Sequence, residues 1–110
     1  MSVLLKPYAA VTGRRNSTSR FYLADCLDVF KQMPEASVDV IVTSPPYNLG
    51  IRYSSYDDTM PRDAYLGWTS EWIRRAAAAL SPKGSLFLNV GAKPLDPWTA
   101  MDVAQAARPH

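Results

Sequence analysis

The sequence predicts an α/β fold built on a parallel sheet, and three observations carry that prediction. Val38-Asp39-Val40-Ile41-Val42 is a compact β-branched run, the pattern of a strand covered on both faces. After Pro61, the residues Leu66, Thr69, Trp72, Ile73, Ala76, Ala77 and Leu80 recur at three- and four-residue spacing, which is a helical stripe. The elements follow one another as strand, helix, strand, loop, helix, strand, the alternation of a doubly wound sheet.

Taken in order, residues 1–20 are expected to form a poorly ordered basic lead-in, because Thr12 to Arg20 offers turn formers and arginines but no periodicity. Its arginines suit DNA phosphates or plain solvation equally well in kind, and solvation is the simpler reading. Phe21-Tyr22-Leu23 reads as a short strand ending at Asp25, followed by a short helix over about Cys26 to Met33 that Pro34 stops. The strand at 38–42 runs into Ser44-Pro45-Pro46, where missing ladder donors end it. Tyr47 to Met60 is a long loop of the kind that is functional or disordered. The long helix starts at Pro61 with Asp63 in its first turn, and Asp57 and Asp58 just before it also suit the helix dipole, with a part in shaping a binding pocket as the second reading. Ser81-Pro82-Lys83-Gly84 is a turn, Ser85 to Val90 a buried strand, and Thr99 to Ala107 a last helix.

Composition narrows the chemistry. A chain of 110 residues with 47% hydrophobic and 20% charged residues is globular in kind and large enough for one small domain or part of a larger one. A net charge of +2 does not by itself mark a nucleic-acid binder, so any such argument must rest on a site. One cysteine, Cys26, and one histidine, His110, leave no disulfide, no multi-cysteine zinc site and no Ser-His-Asp triad, so no metal is expected. No apolar run reaches the roughly 20 residues of a membrane helix, and no secretory leader is evident. A cytoplasmic protein without a membrane partner is the expectation.

Ligands of open α/β sheets gather beyond the carboxyl ends of the strands, and Ser44 to Asn48 lies at such an end. Two prolines fix the backbone there and turn carbonyls outward. Ser44 Oγ and the Pro45 carbonyl can accept hydrogen bonds from a planar amine, and the Tyr47 ring can stack on a base. Val42-Thr43-Ser44-Pro45-Pro46-Tyr47-Asn48 resembles the catalytic motif of the DNA methyltransferases that modify the exocyclic amine of cytosine (N4) or adenine (N6). The flanks are similar too: Ala24-Asp25-Cys26-Leu27 through Pro34 and Ser37 to Val42 look like the family's approach to the site, and Ser81 to Leu88 like its next strand. The similarity covers about Tyr22 to Gly91.

The resemblance implies part of a Rossmann-like methyltransferase sheet with about three parallel strands and flanking helices. It implies S-adenosylmethionine as cofactor and double-stranded DNA with a flipped target base as partner. Ser44, Pro45, Pro46 and Tyr47 become the catalytic residues, with Ser44 and the Pro45 carbonyl holding the amine and Tyr47 stacking on the base. Asp25 takes a position associated with the cofactor's adenine, or else simply caps the helix after it. Asn48, Tyr53 and Tyr56 are candidates for touching the substrate. Serine at position 44, where many relatives carry aspartate, leans toward cytosine N4. In a related group that methylates a protein glutamine amide, asparagine precedes the prolines, and Ser44 argues against it. A proline-rich turn without chemistry, or a ligand for a proline-binding module, is the bland alternative for Ser44 to Tyr47.

In this order of parts, residues 21–110 correspond to the N-terminal, catalytic-motif portion of a DNA methylase domain. The glycine-rich cofactor loop and the target-recognition region are expected in a further C-terminal portion, since the glycines here stand singly. A restriction partner fits the same picture. The alternative is a truncated, catalytically inactive fragment of such an enzyme. Trp68 and Trp72, four apart on the long helix, are expected in the core, Cys26 as a small buried side chain, and Asn89 either in the site or in a turn.

Overall fold

In the computed structural model, residues 5–110 are described. The elements are β1 (Ala9–Thr12), β2 (Thr18–Phe21), α1 (Cys26–Gln32), β3 (Val38–Thr43), α2 (Arg62–Ala79), β4 (Leu80–Leu88) and α3 (Thr99–Ala107), with a 3₁₀ turn at Arg14–Asn16. β3 and β4 pair in parallel, joined by the crossover helix α2, so the α/β character and the helices at 26–32, 62–79 and 99–107 follow the sequence pattern.

The strand at Phe21 departs from expectation. Phe21 closes β2, whose ladder bonds go to β1 in an antiparallel hairpin with Ala9 opposite Phe21, while the Phe21 carbonyl accepts from the Tyr8 amide. The described residues therefore contain one parallel pair, not about three parallel strands in one sheet. The lead-in also contains a hairpin where no strand was expected. Ala9–Thr12 (Ala-Ala-Val-Thr) and Thr18–Ser19 are too short and too mixed to show a two-residue period, and every residue of both strands is exposed.

α2 organises the core. Trp72, Ile73 and Ala76 are buried, and Leu27 and Phe30 of α1, Ile41 of β3, Leu88 of β4 and Ala107 of α3 pack on them. Thr69, Trp72, Ile73 and Ala76 of the expected stripe are buried; beside them Tyr65 and Ala79 are buried, while Leu66, Ala77 and Leu80 stay half-buried. The last carbonyls of α2 do not hang free: the Ala36 and Ser37 amides donate to Ala78 and Ala79 at 3.0 and 2.9 Å, fastening the turn between α1 and β3 to the helix end.

Only one face of the β3–β4 pair is covered. Ile41 and Leu88 turn toward α2, whereas Val40, Val42 and Phe87 are 55%, 75% and 59% exposed, against the expectation of a strand buried on both sides. β4 also begins earlier than expected, directly at the end of α2. Val38 pairs with Leu80 and Val40 with Ser85, so Asp39 alone faces Ser81 to Gly84 across a bulge. The stretch expected as a turn is this bulge. Ser81 Oγ donates to Asp39 Oδ1 at 2.9 Å, and a side chain at Gly84 would meet the Ser81 and Val38 carbonyls at 3.0 and 3.1 Å.

Candidate active site

β3 delivers Ser44 to the carboxyl end of the parallel pair, and the two prolines prevent the ladder from continuing. Ser44 is exposed, and its hydroxyl makes no hydrogen bond within the described chain. The proline carbonyls differ. That of Pro46 accepts the Tyr65 hydroxyl at 2.8 Å, whereas that of Pro45 receives no donor among the described residues. Tyr65 sits on the buried side of α2, 2% exposed; burial, and secondarily the Asp58 carboxylate, push its phenol above the ordinary 10.0, so it stays a donor.

Tyr47 is held on two sides. The Asn89 side-chain amide donates to its hydroxyl at 2.7 Å, and the Asn89 backbone amide donates to the Thr43 carbonyl at 3.0 Å, tying the end of β4 to the residue before the motif. Gly91 lies against the ring: a Cβ there would stand 2.6 Å from Cδ2 and 3.0 and 3.1 Å from its neighbours Cγ and Cε2. Distances so nearly equal place Gly91 over the ring's face, not at its edge. Asn89 is thus bonded to the Ser44–Tyr47 corner rather than spent on a turn, and Gly91 lies against the ring beside it.

The loop between Tyr47 and α2 is wound around a buried carboxylate. Asp58 accepts from the amides of Asn48, Leu49 and Ile51 at 3.0, 3.0 and 2.8 Å and is 2% exposed. The Asp58 carbonyl accepts from Gly50, and Asn48, in the left-handed region at φ 60°, donates its side-chain amide to the Met60 carbonyl at 2.7 Å. The sequence puts Asp58 first on the helix dipole and only second in shaping a pocket, and it gives no sign of these three backbone donors.

Behind the motif lies a recess of about 390 Å³, lined by Cys26 and Phe30 of α1, Ile41 to Pro46, and Trp68 and Trp72 of α2. At the start of α2, Arg62 pairs with both Asp96 and Asp102, joining α2 to the loop before α3 and to α3 itself.

Residues 38–105 match the family model described as DNA methylase, well over half of the chain. The chain belongs to this family. Among curated relatives, the type II methyltransferase M.MjaVI of Methanocaldococcus jannaschii is 50% identical over 64 residues, 58% of this chain and 31% of that protein. The type II methyltransferase M.BamHI of Bacillus amyloliquefaciens is 40% identical over 63% of this chain and 16% of its own length. The DNA adenine methyltransferase YhdJ of Escherichia coli is 29% identical over 66% and 25%. The chain spans less than a third of the length of these relatives.

Within this DNA methylase chain the candidate residues fare differently. Ser44, Pro45, Pro46 and Tyr47 form one corner at the end of β3. Asn48 is occupied in fastening the loop, with Oδ1 buried and unpartnered. Tyr53 is exposed, but Tyr56 turns inward: its ring lies 5.7 Å from that of Trp68, its hydroxyl is buried, and Tyr53 meets it edge-on at 6.0 Å. Asp25 caps α1, accepting from the Leu27 amide at 2.8 Å, the structural alternative foreseen for it. Cys26 is exposed at the mouth of the recess, not buried as expected, while Trp68 and Trp72 are core aromatics as expected.

Membership of the family implies a methyl donor. The described residues do not fit S-adenosylmethionine as a complete set: Asp25 spends an oxygen on the α1 cap, and Gly13, Gly50, Gly67, Gly84 and Gly91 stand singly and form no glycine-rich loop. No helix among the described residues is long and apolar enough to cross a membrane, and none of their His, Cys, Asp and Glu side chains cluster as a metal site.

Proposed function

We propose that this segment is the base-binding side of an S-adenosylmethionine-dependent DNA methyltransferase acting on the exocyclic amine of a flipped base. The observation that carries this reading is the corner itself. A free Ser44 hydroxyl and an unclaimed Pro45 carbonyl stand beside a Tyr47 ring whose position is fixed.

The chemistry follows from the acceptor. An exocyclic amine is a weak nucleophile because its lone pair is delocalised into the ring. Hydrogen bonds from its protons to Ser44 Oγ and the Pro45 carbonyl let the nitrogen become tetrahedral and concentrate the lone pair. Tyr47 holds the extruded base by stacking, worth about 1–3 kcal/mol. Ser44 acts as acceptor and positioner, not as a covalent nucleophile. S-adenosylmethionine, held outside the described residues, would supply the methyl group and leave as S-adenosylhomocysteine, while the methylated amine gives up one proton to solvent. Cytosine N4 is the favoured target over adenine N6, on Ser44 alone.

In a complete enzyme carrying these residues, Tyr47→Ala lowers methyl transfer to duplex DNA on the order of 100-fold while leaving cofactor affinity near its starting value. Unchanged transfer removes Tyr47 from the site. Hydrolysis of the methylated DNA and mass analysis of the nucleosides distinguish N4-methylcytosine from N6-methyladenine.

A second reading, a catalytically inactive piece of such an enzyme, is favoured by the bare Val40–Val42–Phe87 face and the incomplete donor site. Calorimetry of the 110-residue chain with S-adenosylmethionine gives no heat of binding on this reading, and micromolar binding eliminates it.

A further inference from the structure

We infer that Asn89 and Gly91 are positioning residues for base stacking: together they set the plane of the Tyr47 ring and decide which of its faces meets the nucleobase. The inference rests on the base-binding reading of Tyr47 and goes beyond it by adding two residues outside the Ser44–Tyr47 segment.

Three observations carry it. The phenol oxygen accepts the Asn89 side-chain amide at 2.7 Å, which fixes the far end of the ring. Gly91 stands over one face so closely that a single added carbon would sit 2.6 Å from Cδ2. That face is therefore closed to a base, and stacking is confined to the opposite one. Asn89 is itself fixed, because its backbone amide continues the β3–β4 connection onto the Thr43 carbonyl. The ring is thus referenced to the same sheet end that carries Ser44, so the base's face and its amine are located by one rigid frame.

The coupling between residues tests this more sharply than any single loss. The probe is a DNA duplex with an unpaired 2-aminopurine, whose fluorescence is quenched on stacking, titrated with the 110-residue chain. Asn89→Leu weakens the quenching titration about fivefold, the scale of one hydrogen bond. In a Tyr47→Phe background, which stacks but has no hydroxyl, the same substitution has no further effect. Gly91→Ala weakens it on the order of tenfold by tilting the ring, and has no effect in a Tyr47→Ala background. Circular dichroism confirms that each variant keeps its helices.

Equal losses with and without the Tyr47 hydroxyl overturn the inference and leave the base-binding reading standing. Quenching that is absent, or indifferent to Tyr47→Ala, overturns the base-binding reading for this chain and the inference with it.

Discussion

The β1–β2 hairpin and the loop from Asn48 to Met60 exchange the roles that their secondary structure suggests. The hairpin has a regular ladder, with Ala9 opposite Phe21 through Thr12 opposite Thr18, yet all of its strand residues are exposed. The loop has almost no regular structure, yet it closes around Asp58, which is nearly inaccessible and takes three backbone amides on its carboxylate. Regularity and anchorage are separate properties. A ladder in water exchanges one set of hydrogen bonds for another, whereas a buried carboxylate with three donors cannot release them without leaving charge and amides unpaired.

The largest way to break this contrast is Asp58→Ala. It leaves three amides without their acceptor and is expected to cost about 3 kcal/mol in urea unfolding. Hydrogen exchange then accelerates at residues 48–51 first, with the hairpin amides unaffected. Simultaneous loss of protection in both regions would mean that they open as one unit.

A smaller effect sharpens the link between loop and motif. Tyr65→Phe removes the donor to the Pro46 carbonyl at about 1 kcal/mol near neutral pH. The same residue carries a pH signature. Its folded pKa lies above the ordinary 10.0, chiefly through burial, so its contribution is complete below that value. As pH rises past 10.0 the unfolded chain loses this proton first, and stability falls until the folded pKa is passed. Unfolding free energies measured from pH 9 upward should decline more steeply in the parent than in Tyr65→Phe, and parallel curves would refute the assignment.

The smallest expected effect lies in the hairpin. Val11→Ser, on an exposed strand position, should change stability by no more than about 0.5 kcal/mol. A larger loss would show that the hairpin is packed against something in solution.

Much of the frame was legible because its signals are local and periodic. β-branched Val38 to Val42, the stripe through Trp72 and Ala76, and the prolines at 34, 45 and 46 each state their own structure. The place of the Ser44–Tyr47 corner was legible for the same reason, since two consecutive prolines end the strand just before it. What escaped depends on partners far along the chain. Asp58 beside Asp57 looks like any acidic pair before a helix, and only folding brings it under the amides of residues 48–51. Asn89 reaches Tyr47 across 42 positions, a pairing set by the β3–β4 register. Tyr56 was expected to face substrate because loop tyrosines are usually exposed, but Trp68 offered it a ring to pack on. The bulge at Ser81–Gly84 was read as a turn because proline and glycine punctuate both in the same way.

That bulge has a practical consequence. Extra backbone is taken up between Leu80 and Ser85, ahead of the paired run that leads to Asn89. Pro82 and Lys83 at its crest face water. A fluorophore or an inserted residue placed at Lys83 has slack to occupy, so a reporter can be attached there while the strand beyond it, and the ring it steadies, keep their alignment.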